Sequence, residues 1–510
     1  MARIAVIGAG MGAMAAAARL AVAGQRVTVY ERAATYGGSV GRFERDGFVF
    51  DTGPGLLHLP AVYRDLFVKT GKEPLESRVR LGQVDPASRH VFADGTDVRL
   101  PNASRGGVVS ALDTALGAGA GERWGKFLGR ARDAWDRSRR PLLEEPLWAD
   151  WRVLGRDPYP AVRQRRLLRG ARRATTVAEI GAWELADPRL AALLDGYALS
   201  YGLDPRHAPA SAALLPYLEQ TFGSWYVGGG MRELARAVYE RCLARRVEFV
   251  FGAEVARIVE KDGAATGIEL ADGTVAEADH VVAGIAPGPL VEWRLDADGD
   301  VGSSAGEAGE AGEAGEATAP GRFTVLLALR GARDPGAAHR TVVHSPDGSA
   351  EAAEIFAGRT AARPTVTVLR PDDTATRPDD GHEAVTLTAT VAPQGPVDWS
   401  DTALRERYAD VLVAAAGAAV PEIAERIVWR EVRTPADTAA LTGAAGGSVP
   451  APALAGAEGR MLLPGNSTRL SGLYRAGGWA HPGGGLAHAG MSGALVAGLI
   501  VEGADFRGSQ

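Results

Sequence analysis

Small residues near the N-terminus have the spacing of a nucleotide-binding turn. The run Gly8-Ala-Gly-Met-Gly-Ala13 lies between two apolar, strand-like segments, Arg3–Ile7 and Arg26–Tyr30, and Glu31 closes the second. In such a unit the glycines allow a tight turn and close approach of a pyrophosphate, while the acid accepts hydrogen bonds from ribose hydroxyls. The candidate ligand-binding residues here are Gly8, Gly10, Met11, Gly12, Ala13 and Glu31.

A second glycine pair follows the acid, and its position favours one dinucleotide. Gly37-Gly38 is followed by Arg42 and then by the block Gly47-Phe-Val-Phe-Asp-Thr-Gly-Pro54. The first turn alone does not separate NAD from FAD, whereas a loop at this place is typical of enzymes that hold the flavin end of an extended FAD. A surface loop with a hairpin is the alternative. The further candidates are Arg32, Gly37, Gly38, Ser39, Arg42, Gly53 and Pro54.

The third glycine-rich stretch, Trp479–Gly493, directly precedes an apolar helix pattern. Bare backbone lets a planar ring approach closely, and a helix predicted to start near Met491 would direct amide groups at a ring edge that becomes negative on reduction. A flexible glycine loop is the alternative. Candidates for cofactor binding are Gly477, Gly485, Gly490, Met491 and Ser492, and His488 is the one candidate for ring-side acid–base chemistry. His481 is expected to pack or cap the loop, and His344 to be structural.

These motifs together resemble those of the FAD-dependent phytoene desaturase family, which includes the retinol saturase-like enzymes. The resemblance rests on VIGAGMGA, YGGSVGRFERDGFVFDTGP, Tyr226–Leu234, Val247–Val255, Thr434–Thr438 and the HPGGG segment, and so covers most of the chain. It implies a two-domain flavoprotein that removes hydride and a proton from carbon–carbon single bonds of long polyenes, with hydride passing to flavin N5. It also implies that the backbone at Val255 pairs with adenine, and that a second FAD contact lies near Gly228.

Three positions depart from the family pattern. Ser39-Val40 follows the glycine pair, so Arg42 comes late, and Trp479-Ala480 replaces a common Gly-Thr pair. His488 stands where a smaller residue is usual. The first choice is an FAD-dependent dehydrogenase acting on a polyene. The alternatives are a related enzyme acting on a carrier-bound polyketide or a cyclohexadiene, a flavin amine oxidase, and a non-catalytic binder that retains FAD.

The elements that must position these residues predict an α/β fold. A discontinuous Rossmann-like FAD-binding domain is assigned to residues 1–100, 219–290 and 455–510, and a mixed α+β substrate domain to residues 101–218 and 320–454. Strand patterns at residues 323–329, 366–369 and 384–391 predict a sheet in the second domain. The Gly-Glu-Ala tract at residues 302–318 is expected to be a mobile loop, because it has too little apolar surface to offset its ordering entropy.

Composition restricts the partners of this 510-residue chain. With a net charge of −6 it is not expected to bind nucleic acid, and its lone Cys242 excludes a disulfide framework and a cysteine metal site. No metal cluster and no apolar run long enough to cross a bilayer is found, so a cytoplasmic protein is expected. Residues 108–174 and 178–218 are predicted to be mostly helical. This helical region carries a basic run near Trp148, Trp151 and Tyr159, formed by Arg163, Arg165, Arg166, Arg169, Arg172 and Arg173. That run predicts a peripheral membrane contact, a carrier-protein contact or a solvated helix face.

Overall fold

The two ends of the chain meet in one parallel sheet. A computed structural model describes residues 1–148, 151–162, 172–288, 290 and 319–508. Its five-stranded sheet, called the small sheet below, has the strand order Glu248–Phe251, Arg26–Glu31, Arg3–Ile7, His280–Ala283 and Leu473–Arg475. Every neighbouring pair in it is parallel. The central strands Arg3–Ile7 and His280–Ala283 are short, mostly buried apolar runs, as expected for strands covered on both faces, whereas the edge strand Glu248–Phe251 is partly exposed. The α/β prediction is confirmed.

A seven-stranded mixed sheet, called the large sheet below, forms the second layer. Its order is Ile427–Arg433, Gly321–Arg330, His382–Val391, Val366–Leu369, Arg340–Val343, Ser88–Val91 and Asp97–Leu100. All pairs are antiparallel except the parallel pair of Arg340–Val343 with Ser88–Val91. The last two strands belong to residues 1–100, which the sequence assigns to the cofactor domain, so the chain enters the large sheet before residue 100. The domain limits remain a prediction.

Three smaller sheets complete the β structure. Val255–Lys261, Ala264–Leu270 and Val275–Glu277 form a meander, Arg42–Arg45 pairs with Phe48–Asp51, and Ser224–Val227 lies between Leu57–His58 and Leu81–Gln83. The longer helices among the described residues are Met11–Val22, Ala61–Gly71, Arg105–Leu116, Ala120–Arg139, Pro188–Ser200, Leu214–Phe222, Arg232–Ala244, Gly348–Phe356, Thr402–Ala416, Pro435–Thr442 and Leu486–Glu502. Two π-helical segments, Arg140–Glu144 and Ile180–Leu185, lie in the predicted helical region.

The helix after the first turn packs directly on the last helix of the chain. We call Met11–Val22 the first helix and Leu486–Glu502 the closing helix. A Cβ placed on Gly12 would lie 2.6 Å from Gly477 Cα, and one placed on Gly493 would collide with the Gly12 carbonyl oxygen. Only hydrogen fits at these crossings, because the two backbones touch. The N-terminal turn and the C-terminal glycine segment are therefore neighbours, as the sequence interpretation requires.

Three sequence predictions concern the basic run, the Gly-Glu-Ala tract and a possible membrane span. Residues 163–171, with four of the six arginines of the basic run, and residues 302–318 lie outside the described residues. Of the remaining two arginines, Arg172 stacks over Trp183 at 4.4 Å and Arg173 donates to the Asp157 carbonyl oxygen at 3.5 Å. No helix in the described part of the chain is both long and apolar enough to span a bilayer.

Candidate active site

No side chain caps the backbone amides at the start of the first helix. The first helix begins at Met11 after Gly10, and it has neither a side-chain cap nor an acidic residue in its first turn. The first amide groups of a helix have no intrahelical acceptor, so they bind an anion readily. This arrangement suits the pyrophosphate of a dinucleotide at Gly10, Met11, Gly12 and Ala13.

Gly10 supplies a specific test of fit for that dinucleotide. Its backbone is extended, with φ −71° and ψ 167°, a conformation open to any residue. A Cβ placed there would meet no protein atom closer than the Gly284 carbonyl oxygen at 3.9 Å. The protein itself thus gives no reason for glycine at this position. A ligand whose phosphates lie against the backbone does, and the residues present fit a bound dinucleotide.

Glu31 is fixed beside the turn, where a ribose would lie. Its carboxylate accepts hydrogen bonds from the amides of Ala9 at 2.6 Å and Ala33 at 2.8 Å. The neighbouring parallel strand Glu248–Phe251 pairs Phe251 with Glu31 and leads to Val255, and the Ala253 amide donates to the Glu31 carbonyl oxygen at 2.9 Å. Glu31 and Val255 are therefore close to each other on one side of the turn, as adenosine recognition would require.

The second glycine pair also reaches the first turn. Gly37 donates its amide to the Ala9 carbonyl oxygen at 2.8 Å, and Gly10 and Gly37 form a parallel bridge. Further along, a Cβ on Gly53 would collide with the Ser39 carbonyl oxygen, so Ser39 and the Gly53–Pro54 turn lie in contact. The three predicted glycines of this region, Gly37, Gly38 and Gly53, thus lie close together, and an added Cβ on Gly38 would lie 3.2 Å from Gly10 Cα.

The two predicted arginines, in contrast, interact with protein groups. Arg32 donates to the Leu441 carbonyl oxygen at 2.7 Å, at the end of the helix Pro435–Thr442. Arg42 pairs with Glu44 and lies 3.6 Å from Glu233. Their side chains hold neighbouring elements in place, so any contact with the cofactor remains a prediction that this geometry does not favour.

An arginine without a role in the sequence interpretation holds the second glycine loop. Arg232 donates to the carbonyl oxygens of Tyr36 and Val40 and to Thr35 Oγ1, and its guanidinium lies 4.0 Å from the Tyr36 ring centroid. The signal was its place after Gly228-Gly-Gly-Met231. Asp51 accepts from the Met231 and Arg232 amides at 2.8 and 3.3 Å and so caps this helix, and burial raises the pKa of Asp51 to about 6.

The closing helix begins five residues earlier than predicted, at Leu486. The prediction of a start near Met491 is wrong, because the helix turns directly after Gly485, whose φ of +103° ends the glycine segment. Gly490, Met491 and Ser492 therefore lie inside the helix, where backbone amides are bonded to the preceding turn. The amides without intrahelical acceptors are those of Leu486, Ala487 and His488, and this helix has no side-chain cap and no acid in its first turn.

Gly490, Met491 and Ser492 contact other parts of the protein through packing and hydrogen bonds. A Cβ on Gly490 would lie 2.8 Å from Val62 Cγ1, so Gly490 faces the helix Ala61–Gly71. Met491 is buried in the helical core. Ser492 Oγ accepts from the Gly477 amide at 3.1 Å and from Asn466 Nδ2 at 3.0 Å. Ser492 thus fixes Gly477, beside which an added Cβ would meet no protein atom within 4 Å.

The histidines separate into structural and candidate catalytic groups. His481 is buried, accepts Asn466 Nδ2 at its carbonyl oxygen and places Nε2 3.0 Å from the Glu145 carbonyl oxygen, so it fastens the loop as expected. His344 lies 2.9 Å from His90 in a buried pair. His488 lies in the first turn of the closing helix, and burial lowers its pKa to about 4, so it is neutral at pH 7. Its catalytic role remains a prediction.

A buried polar cluster stands between the helices and the large sheet. Glu219 binds Arg340 through both carboxylate oxygens and accepts from Tyr197 at 2.9 Å, with His58 Nε2 at 3.7 Å. Charge from Arg340 and His58 holds the Glu219 pKa below its usual value despite burial. The described residues contain no group of three or more histidine, cysteine or acidic side chains placed to hold a metal ion.

Comparison with known proteins agrees with this geometry. Residues 14–501 match the family model for flavin containing amine oxidoreductase. The chain is 30% identical to 4,4'-diapolycopene oxygenase of Methylomonas sp., covering 98% of both chains, and 30% identical to hydroxyneurosporene desaturase of Cereibacter sphaeroides, covering 98% of this chain and 97% of that one. An oxidoreductase from Methanosarcina mazei has the same fold, with a TM-score of 0.61, 17% identity and coverage of 97% and 99%. The prediction of FAD is confirmed.

Proposed function

This chain belongs to the flavin-containing amine oxidoreductase family and is an FAD-dependent oxidoreductase, and from that premise we propose that it introduces carbon–carbon double bonds into a polyene. The observation that carries the proposal is the contact between the start of the first helix and the closing helix: a Cβ on Gly12 would lie 2.6 Å from Gly477 Cα and 2.8 Å from the Ala489 carbonyl oxygen. Neither helix has a side-chain cap at its start. A single bound dinucleotide would then contact both the N-terminal turn and the C-terminal glycine segment.

Bound FAD supplies the hydride acceptor for removal of hydrogen from a carbon–carbon single bond. The chain supplies position and electrostatics. Amides of Leu486, Ala487 and His488 point from the start of the closing helix and favour negative charge beside it. Ser492 holds the Gly477 backbone, which leaves open space for a flat ring. His488, neutral at pH 7, is the candidate proton acceptor at its imidazole nitrogen.

The substrate space is proposed between the large sheet and residues 53–55, which we call the flavin-end loop. Gly53 and Gly55 share a cavity with Leu369, Ala384 and Thr386 of that sheet. The two relatives named above are a carotenoid oxygenase and a carotenoid desaturase by name, which favours a polyene over an amine. Two further proposals remain. A carrier-bound substrate is favoured by the low aromatic content of 6% and by His488, and a peripheral contact with membrane or a carrier protein rests on the basic run.

Anaerobic titration of the purified yellow protein tests the function. An acyclic polyene should bleach the flavin absorbance, and the extracted product should have lost two hydrogen atoms by mass spectrometry. An amine such as putrescine should leave the flavin oxidised. Bleaching by the amine but not by the polyene would overturn the proposal in favour of amine oxidation, and bleaching by neither would reject both.

A further inference from the structure

The inner face of the large sheet is hydroxyl-rich where the outer face is aliphatic. On the outer face, Val325, Leu387 and Val368 are paired across adjacent strands and are fully buried against the helix Thr402–Ala416. One residue along, Thr324 pairs with Thr388, and Thr388 pairs with Thr367. Since side chains alternate between faces, this row of threonines points the other way.

The same face carries Thr386 in the next row, between Leu326 and Leu369. Thr386 and Leu369 line the cavity that also contains Gly53 and Gly55. The threonine face is thus turned toward the flavin-end loop. The four inner threonines, Thr324, Thr367, Thr386 and Thr388, are half-buried.

A fifth threonine on this face, Thr390, does form hydrogen bonds with the protein. Thr390 Oγ1 donates to the Leu199 carbonyl oxygen at 2.9 Å, accepts from Arg322 at 2.7 Å, and is buried. Arg322, which pairs with Thr390 across the strands, also donates to the Ser200 carbonyl oxygen, so the helix Pro188–Ser200 covers this row. In the row of Thr386, Arg340 binds Glu219 of the helix Leu214–Phe222. The four other threonine side chains form no hydrogen bond within the described residues.

Strand propensity alone does not explain the choice of threonine. Valine is as favourable in a strand, has the same shape, and is used on the outer face of these strands. A pure hydrocarbon that displaced water from this wall would leave hydroxyls buried without partners, which costs binding free energy. A threonine hydroxyl can both donate and accept, so it pairs with a hydroxyl, ether or carbonyl oxygen.

We propose that the substrate space selects an oxygen-bearing polyene, one that carries hydroxyl or carbonyl oxygen, over the hydrocarbon of equal length, through the inner threonines Thr324, Thr367, Thr386 and Thr388. This inference rests on the proposed polyene desaturation and specifies its substrate class. A site built to pair an oxygen rejects the analogue that lacks it more strongly than an apolar site rejects added oxygen.

Equilibrium binding to the FAD-loaded protein tests the inference. An acyclic hydrocarbon polyene and its hydroxylated derivative are titrated in detergent, with quenching of the fluorescence of the 10 tryptophans as readout. Wild-type protein should bind the hydroxylated polyene about tenfold more tightly. The double variant Thr324→Val, Thr388→Val should lose that preference. Thr341→Val, on the outer face in the neighbouring row, is the matched control and should keep it.

Four other results of this binding experiment would contradict the inference. Equal binding of both polyenes by the wild type, with desaturation of both, would overturn this inference and leave the proposed function intact. Retained preference in the double variant would also overturn it. Loss of FAD from the double variant would assign the threonines to the cofactor instead. Binding of neither polyene would reject the proposed function together with the inference.

Discussion

Among single residues, Asp195 has an unfavourable charge in the folded protein. It lies on the helix Pro188–Ser200, where burial first and the charge of Asp204 second raise its pKa to about 7. The folded pKa exceeds the unfolded value, so the folded state holds a proton that the unfolded state has lost. Stability attributable to this group is complete below about pH 4 and declines as pH rises through 7.

Asp195→Asn should therefore stabilise the protein increasingly with pH, by about 1–2 kcal/mol at pH 8 and by little at pH 4. Denaturant unfolding across that range measures the effect. Asp187→Asn, at the start of the same helix, is the control of opposite sign. Asp187 accepts from the Arg189 amide and pairs with its guanidinium at 3.1 Å, and its pKa is lowered. An equal gain in both variants would contradict the assignment.

Arg232 is the residue on which the position of the second glycine loop depends. Its planar guanidinium reaches three groups of the loop at Thr35, Tyr36 and Val40, which a single lysine ammonium does not reproduce. Arg232→Lys should lower FAD affinity about tenfold, measured by flavin fluorescence during titration of apoprotein. Arg236 lies four residues further along and forms exposed ion pairs with Glu233 and Glu240, so Arg236→Lys should leave FAD affinity unchanged. Unchanged affinity in Arg232→Lys would show that the loop is held by other contacts.

At the scale of elements, the glycines where the first and closing helices cross are fixed by contact. Gly493→Ala would force its Cβ onto the Gly12 carbonyl oxygen and push the helices apart, so we expect a loss of about 1–3 kcal/mol in the free energy of unfolding. Gly129→Ala is the matched control in the helix Ala120–Arg139, where an added Cβ meets nothing within 4 Å. That variant should gain about 0.5–1 kcal/mol from helix propensity. Equal effects would argue against close backbone packing.

The elements also show what sequence reasoning can reach. The first turn with Glu31 was predictable because a strand, a glycine turn, a helix and an acid occur within one local stretch. The closing helix was placed too late because its apolar periodicity begins well after Leu486, whereas the true start is set by the backbone turn at Gly485. The roles of Arg232 and of the four inner threonines were not predicted from the sequence, for another reason. Their partners lie far away along the chain, and only strand register and packing bring them together.

At the scale of the whole molecule, three separate stretches of chain meet in one buried polar cluster. Glu219 binds Arg340, Tyr197 is bonded to the same carboxylate, and His58 lies beside it, so two helices, the large sheet and the strand after the flavin-end loop share one buried cluster. Removal of one partner of a buried ion pair leaves an uncompensated charge. The cluster therefore holds the two helices, the strand Leu57–His58 and the large sheet against one another.

At Gly10 the stability of the fold can be measured separately from the binding of the cofactor that we propose joins the two chain ends. Because an added Cβ at Gly10 meets no protein atom closer than 3.9 Å, Gly10→Val should leave the free energy of unfolding of apoprotein within about 1 kcal/mol of wild type. Bound FAD stabilises only the folded state, so it should raise the melting temperature of wild type and, at the same concentration, not that of Gly10→Val. A thermal scan with and without FAD measures both effects. If the variant kept the FAD-dependent shift, the pyrophosphate would lie elsewhere, and the joining of the two ends would have to rest on protein contacts such as Gly12 with Gly477.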